Sequence, residues 1–473
     1  MVEVNLDFAG RINKALADQQ IRTNFRKALD GVMAKRAGQF PNQDELSALR
    51  TLDKTIRENA LNKLPELLQK LEAKLIENGI KVHWAYDAKE ANEIISGILE
   101  LNNASKIVKV KSMVSEEIEL NQHLAAKGYE VIETDLGEYI LQLADEAPSH
   151  IVAPAIHKSR KDIAKLFAEK FPEIPYTEDV NQMTGNARNI MRDFFSRADA
   201  GISGVNFMIA ETGTLCLVEN EGNGRLCTTS PPLHIAITGI EKVVENLTDV
   251  PPLLSMLTRS ATGQPITTYF NMISSPRKSH ELDGPDEVHL VLLDNARSKI
   301  RKEAELDATL RCIRCGACIN HCPVYVRLGG HAYGTVYPGP IGSVLEPQRL
   351  GIQVAGKLAE ACTLCGACAE VCPVQIPLPK LINRLRLEAN EPAATSNIPG
   401  HGSLKTKKEQ LAWKVWGVIY SSPKLYKIFI TLAAKMRFLT PTKLGGWSKY
   451  RKLPQPASHT LHSKLKKQLK NYE

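Results

Sequence analysis

Residues 312–323 read CIRCGACINHCP, and residues 362–373 read CTLCGACAEVCP. Cys312, Cys315, Cys318 and Cys322 recur fifty residues later as Cys362, Cys365, Cys368 and Cys372, each set spaced C-x2-C-x2-C-x3-C and closed by Pro323 or Pro373. Eight of the ten cysteines lie in the two copies, and the match extends to Gly316-Ala317 and Gly366-Ala367, so this is an internal duplication. Thiolates are soft anionic ligands, and two-residue gaps let one tight loop present three of them around a compact group. The fourth, three residues on and followed by a proline that stops the turn continuing as helix, points away from that loop.

This spacing resembles that of the bacterial two-cluster ferredoxins, in which three thiolates of a motif hold one 4Fe-4S cluster and the fourth ligates its neighbour. On that reading one cluster takes Cys312, Cys315, Cys318 and Cys372, and the second takes Cys362, Cys365, Cys368 and Cys322. The small pairs Gly316-Ala317 and Gly366-Ala367 leave room for backbone amides near inorganic sulfide. Structural zinc also takes four thiolates and accepts C-x2-C, but zinc sites usually offer two separated pairs rather than three plus one. A disulfide framework belongs to secreted chains, and the start MVEVNLDFAGRINKAL has no basic segment followed by an apolar one.

The 473 residues suffice for two or three cored domains, and 43% hydrophobic with 24% charged residues is ordinary soluble composition. No apolar run approaches membrane-spanning length, and reduced thiols with clusters to house point to the cytoplasm. The net charge of +8 is uneven. From His401 onward fourteen Lys and two Arg face two Glu, a local +14, which leaves the first 400 residues at −6.

Residues 1–80 read as helices, with a helical segment over 1–39 and an apolar stripe of Leu64, Leu67, Leu68, Leu71 and Leu75. From Lys81 short strands and helices alternate. Strands are expected at 81–86, 106–111, 129–135, 150–154, 206–211, 213–219, 234–239 and 288–294, and helices at 88–100, 116–128, 160–171 and 186–198. Strands joined by helical crossovers imply a largely parallel sheet covered on both faces, so residues 40–300 are expected to form an α/β domain. Within it Glu211, Thr212 and Gly213, with Gly222, Asn223, Gly224 and Arg225, form the most loop-rich polar part. Two readings stand there: a hairpin turn, or a ligand loop whose exposed amides take a small anion. Cys227 occupies the position of the third glycine of a dinucleotide fingerprint, so no NAD site is expected. Cys216 reads as a small buried hydrophobe and Cys227 follows the polar turn; His157, His234 and His321 show no ligand spacing.

The stretches EIELNQHL, GISGVNFMIAETGTLCLVENEGNGRL and PPLHIAITGIEKVV resemble the domain shared by lactate utilization proteins, and the appended two-cluster module resembles the iron-sulfur component of that system. The resemblance covers nearly the whole chain. It implies a sheet like that of sugar isomerases and CoA-transferases. It also implies participation in NAD-independent oxidation of L-lactate to pyruvate alongside two partner subunits. It supplies no catalytic residues, and no flavin site is evident.

Residues 301–390 are expected to form a mostly helical ferredoxin-like domain. Its connection, 328–348, is rich in Gly, Pro and Tyr, with little regular structure expected. Gly351-x4-Gly356-Lys357 mimics a phosphate-binding loop, but Leu358 replaces the magnesium-binding hydroxyl. Residues 391–403 read as a linker and 404–473 as a basic aromatic region carrying Trp413, Trp416, Tyr420, Tyr426, Phe429, Phe438, Trp447 and Tyr450. For that tail an acidic partner, peripheral contact with the inner membrane face and simple solvation compete; no motif supports nucleic acid. Functionally, the chain reads as an electron-transfer component. The alternatives are a catalytic subunit binding a 2-hydroxy acid in the α/β domain, near Arg225, and an assembly scaffold.

Overall fold

The computed structural model describes residues 7–390, 404, 407–440 and 454–469. Four helices open the chain: α1 (Phe8–Ala17), α2 (Gln19–Gly38), α3 (Gln43–Asn62) and α4 (Leu64–Glu77). Asp7, Asp18 and Asn42 cap the first three by accepting backbone N–H bonds, and Pro65 sits in the first turn of α4, where its missing N–H costs nothing.

The α/β alternation follows as β1 (Lys81–Ala85), α5 (Ala88–Leu101), β2 (Lys106–Lys109), α6 (Met113–Glu117), α7 (Leu120–Ala126), β3 (Glu130–Glu133) and α8 (Leu136–Ala144). It continues with α9 (Arg160–Lys170), α10 (Val180–Ser196), β4 (Ala200–Gly204), β5 (Phe207–Ile209), β6 (Thr214–Glu219), α11 (Asn223–Thr229), β7 (Leu233–Gly239), β8 (Val243–Val244), α12 (Val250–Ala261), β9 (Tyr269–Ile273) and β10 (Glu287–Leu293). Six strands form one sheet in the order β1-β10-β7-β4-β2-β3, every pair parallel. Its faces follow the period of two. Ile235, Ile237, Val291 and Leu293 pack with α5 and α7 through Ile95, Leu99, Leu120 and Leu124. Ala236, Val288, Leu290 and Leu292 pack on the other side with Leu67, Leu71 and Leu75 of α4. The leucine stripe is thus core.

Three expectations are corrected. Strands β5 and β6 leave the parallel sheet for a second one, ordered β8-β5-β6-β9, in which they pair antiparallel. Only four residues, Ala210 to Gly213, join them, and a parallel pair needs a crossover of a dozen or more. Residues 150–154 are turns rather than a strand: the His150 Nδ1 accepts the N–H groups of Val152 and Ala153, both at 3.0 Å, and curls the chain around its own ring. Finally, the second half of the Gly/Pro-rich connection is a buried helix. Pro340 lies in its first turn, which tolerates proline, so composition conceals it.

Helices α13 (Arg297–Lys302), α14 (Ala317–Asn320), α15 (Pro323–Leu328), α16 (Gly339–Leu350), α17 (Ile352–Ala355), α18 (Ala367–Glu370) and α19 (Leu378–Glu388) carry the cysteine motifs. Among the described residues, 7–390 pack as one compact unit and those from 404 onward as another. In the latter α20 (Lys407–Ser421) and α21 (Pro423–Lys435) form a hairpin, followed by α22 (Leu461–Leu469). Tyr420 stacks on Trp416 at 4.4 Å and meets Tyr426 at 5.1 Å across the Ser422 cap. The linker 391–403, Trp447 and Tyr450 lie outside the described residues. No helix among the described residues is long and apolar enough to cross a membrane.

Inside α3, Asp53 is fully buried and neither carboxylate oxygen has a hydrogen-bond partner. Burial raises its pKa to about 7, against the pull of Arg259. A folded-state value above the unfolded one favours the fold only at low pH, and that contribution is lost as pH rises through 7. Asp53→Asn is therefore expected to raise stability at alkaline pH by up to about 4 kcal/mol, seen as a higher urea midpoint, with the gain vanishing toward about pH 4. Urea titrations across that range check it; a gain independent of pH would refute it.

Candidate metal centre

The two motifs fold alike. Each begins on a short 3-10 turn, Asp307–Arg311 or Gly356–Ala361, and reaches its first cysteine. Each then places a non-glycine residue in the left-handed region, Arg314 at φ 61° and Leu364 at φ 56°, and follows it with a left-handed glycine, Gly316 at φ 76° or Gly366 at φ 89°. Left-handed backbone is strained for Arg and Leu, and here it turns amides toward sulfur. The Arg314 N–H donates to Cys312 Sγ at 3.4 Å and the Leu364 N–H to Cys362 Sγ at 3.3 Å. Gly316 also lies so close to Val152 that an added Cβ would come within 3.1 Å of it, whereas Gly366 needs only its conformation. After the helical turns α14 and α18, Cys322 and Cys372 follow, and Cys372 Sγ accepts the Ile376 N–H at 3.3 Å.

The thiols fall into two sets that cross the motifs. Cys318 lies within electrostatic reach of Cys312, Cys315 and Cys372, and Cys372 within reach of Cys312. Cys322 is a neighbour of Cys362 and Cys365, and Cys368 of Cys322, Cys362 and Cys365. Cys318 also feels Cys368, so the sets adjoin. No disulfide joins any of the ten cysteines. Burial, then mutual repulsion of the sulfurs, pushes Cys368 up to about 12 and Cys315 and Cys318 upward as well. Such thiols ionise only beside positive charge.

Positive charge is built in around the first set. Arg36 lies near Cys315 and Cys372, Arg50 near Cys372, and Arg57, Lys242 and Arg314 near Cys312. Arg36 Nε, Arg57 Nε and Arg314 Nη1 are buried without a hydrogen-bond partner. Orphaned buried donors beside sulfur are what an anionic thiolate-iron-sulfide group would satisfy, so the residues fit a 4Fe-4S group. Among the described residues no three His, Cys, Asp or Glu side chains converge as a single-ion site.

A buried ion network seats this loop on the carboxyl end of the sheet. Arg297 donates to Glu117 at 2.8 and 3.1 Å and to Glu241 at 2.5 Å, and Glu117 also accepts from Tyr337 and from Asn295. The Arg314 guanidinium lies 4.4 Å above the Tyr337 ring and 3.7 Å from Glu241. His150 Nε2 pairs with Asn320 Oδ1 at 2.8 Å, tying the 149–157 turns to the first motif. None of these partners is legible from spacing. Arg36, Arg50 and Arg57 in particular lie more than 250 residues from the cysteines they approach.

The remaining expected site residues are dispersed. Glu211, Thr212 and Gly213 form the β5–β6 turn, where Thr212 and Gly213 carbonyls accept from Asn78, the C-cap of α4, and Glu211 accepts the Leu247 N–H. Gly222, Asn223, Gly224 and Arg225 lie at the other end of β6, at the start of α11, so the seven residues form no continuous loop: Glu211, Thr212 and Gly213 turn the β5–β6 hairpin, and β6 is followed by a helix instead of a second hairpin. The Gly224 and Arg225 N–H groups are already taken by the Glu219 carboxylate at 2.6 and 2.7 Å. A negative charge thus occupies the place an anion would need. Asn223 instead bonds Thr134 at 3.3 Å. Cys216 and Cys227 are buried, each pushed up to about 12 by burial, and Cys227 lies 3.4 Å from Thr134 Oγ1. His157 bridges Ser149 and Glu146, His234 pairs with Ser203, and His321 with the Ala317 carbonyl.

Comparison with known proteins agrees with this layout. The LUD domain matches residues 68–293, the 4Fe-4S dicluster domain 308–376, and the C-terminal domain of lactate utilisation protein B 384–470. Lactate utilization protein B of Bacillus subtilis (strain 168) is 40% identical over 459 residues, covering 95% of this chain and 94% of its own. A protein of Escherichia coli (strain K12) described as "Uncharacterized electron transport protein YkgF" is 40% identical over 476 residues, 98% of this chain and 97% of its own. A crystal structure of a DUF162 family protein from Deinococcus radiodurans aligns with 49% of this chain and 98% of its own at 16% identity and TM-score 0.27, too distant a likeness to carry weight. With a 4Fe-4S dicluster domain between a LUD domain and that C-terminal domain, and with relatives of this identity along nearly its whole length, the chain belongs to the lactate utilization protein B family.

Proposed function

We propose that this chain is the iron-sulfur electron-transfer component of NAD-independent oxidation of L-lactate to pyruvate, working with two partner subunits. Membership of the lactate utilization family supports the substrate, and the two crossed sets of four thiols support the electron-carrying role. The proposed ligands are Cys312, Cys315, Cys318 and Cys372 for one 4Fe-4S cluster and Cys362, Cys365, Cys368 and Cys322 for the other. When bound, each cluster supplies a one-electron acceptor. The chain's own part is to hold both groups adjacent, to direct N–H groups at their thiolates, and to set fixed cations beside one of them.

The observation carrying this reading is the adjoining of the two sets through Cys318 and Cys368, which suits a relay better than a lone site. The bond-breaking step is assigned to a partner. In this chain the glycine turn that could have received a carboxylate is filled by Glu219. The basic tail, with its exposed aromatic hairpin, is assigned to docking on an acidic surface of the assembly.

The test is reconstitution. Anaerobically purified full chain, with and without its two partners, is assayed for lactate-dependent dye reduction. Activity is expected only with the partners present, and turnover by this chain alone would overturn the assignment.

A further inference from the structure

The two thiol sets share a spacing but not their surroundings. Around Cys312, Cys315, Cys318 and Cys372 stand five cations: Arg36, Arg50, Arg57, Lys242 and Arg314. Three of the five come from α2 and α3, which grip the second motif through its backbone. Arg50 donates to the Cys372 and Ala369 carbonyls, both at 2.8 Å, and Arg36 to the Val371 carbonyl at 3.1 Å. Gln375 reaches back to Thr51 Oγ1 at 3.1 Å. The anions among these cations are Glu241, shared with Arg297, Glu117 near Arg314, and Glu370 near Arg50. Around Cys362, Cys365, Cys368 and Cys322 the wall is different. Cys365 is exposed, Leu364 beside it is 43% exposed, and Tyr333 adjoins Cys322 and Cys362 as a neutral ring. Arg386 holds the Cys362 carbonyl at 2.8 Å.

We propose that α2 and α3 form a cationic clamp that holds the cluster of Cys312, Cys315, Cys318 and Cys372 at a higher reduction potential than its neighbour. The proposal rests on the ligand reading above. Four thiolates on an iron-sulfide core make an anion that gains a further negative charge on reduction. A fixed cation in a low-dielectric wall therefore favours the reduced form more than the oxidised one. Water favours the reduced form at the exposed set too, but it is mobile and screening, whereas guanidiniums anchored on carbonyls stay in place. The N-terminal helices, which carry no motif, thereby acquire a role in ordering the two centres. Arg50 is the residue to change: it is partly exposed, and the hydrogen bonds it makes go to two carbonyls of the second motif.

Redox titration of the anaerobically purified full chain, followed by electron paramagnetic resonance, tests this. Wild type is expected to show two midpoints, and Cys365→Ser should remove the lower one. Arg50→Gln should lower only the higher midpoint, by a tenfold change in the reduction equilibrium, about 59 mV for one electron. Arg50→Lys, which keeps the charge, should stay within about a third of that shift. If Arg50→Gln fails to retain its clusters, Arg36→Gln is expected to give the same selective shift. Equal wild-type midpoints, loss of the higher midpoint in Cys365→Ser, or charge removal that moves the lower midpoint or neither would overturn the clamp. A wild-type chain with no cluster signal would overturn the ligand reading itself, which separates the two failures.

Discussion

Replacing Cys315 by Ser is expected to abolish one of the two cluster signals in reduced samples and to remove about half of the bound iron. Serine offers a hard, neutral hydroxyl where the site needs a soft thiolate, and Cys315 is buried, which leaves little access for water as a substitute ligand. Cys365→Ser should remove the other signal with less damage to folding, since Cys365 is exposed. The crossing of the motifs gives a sharper check. Cys372→Ser should extinguish the same signal as Cys315→Ser, although it lies in the other motif, and the double variant should lose no more than either single one. Cys322→Ser should pair in the same way with Cys365→Ser. Spectra and iron analysis of the four single variants decide this, and an unaltered spectrum in Cys315→Ser would end the ligand assignment.

Arg297→Met is expected to cost about 3–5 kcal/mol of stability, a large share of the 5–15 kcal/mol typical of a folded protein. Arg297 is 3% exposed and stands between Glu117 and Glu241, themselves 5% and 1% exposed. Burial by itself would raise Glu117, but Arg297, with Arg349 and Arg314, holds it down to about 2. A carboxylate with a depressed folded-state value stabilises the fold above its ordinary range and loses that contribution as pH falls toward 2. Without Arg297 the two buried carboxylates lose the cation they share, leaving Glu241 with Arg314 at 3.7 Å and Glu117 with Tyr337 and Asn295, so the deficit should be largest at neutral and alkaline pH. Pairing Arg297→Met with Glu117→Gln should recover part of the loss, because one uncompensated charge is then gone. Urea midpoints of the two single variants and the double variant measure this coupling. Equal midpoints for wild type and Arg297→Met would show that the network carries no stability. Since Glu117 also accepts from Tyr337, over whose ring Arg314 lies, loosening it should disturb the first motif before the second.

Much of the architecture is legible in the order of apolar and polar residues. The alternation from Lys81 onward marks the parallel sheet, and β1, β2, β3, β7 and β10 with α5 and α9 lie where their apolar periods put them; β4 falls in none of the expected strands, and the helix expected at 116–128 breaks at left-handed Glu119 into α6 and α7. The departures have local causes that composition hides. The apolar runs of β5 and β6 suit further members of the parallel sheet, yet the four residues between them allow only an antiparallel pair. Residues 150–154 have strand-like composition, but the His150 ring recruits the following amides and turns the chain. The glycine turn before Arg225 resembles an anion site because its amides begin a helix; Glu219, one strand-end away, fills it from within the chain.

The cysteine repeat stands apart from these. Its chemistry is legible because ligand direction over ten residues is a property of local chain geometry, set by x2 and x3 gaps, left-handed turns at Arg314 and Leu364, and a proline stop. Sequence by itself thus determined the eight cysteines in their two equally spaced copies and most strands of the sheet that precedes them. Only the tertiary structure decided which charges surround each set. Arg36, Arg50 and Arg57 come to Cys312, Cys315 and Cys372 from helices hundreds of residues away, and whether an arginine on a polar helix faces water or sulfur depends on what packs against it. Burial, and the electrostatics it amplifies, are properties of the packed whole.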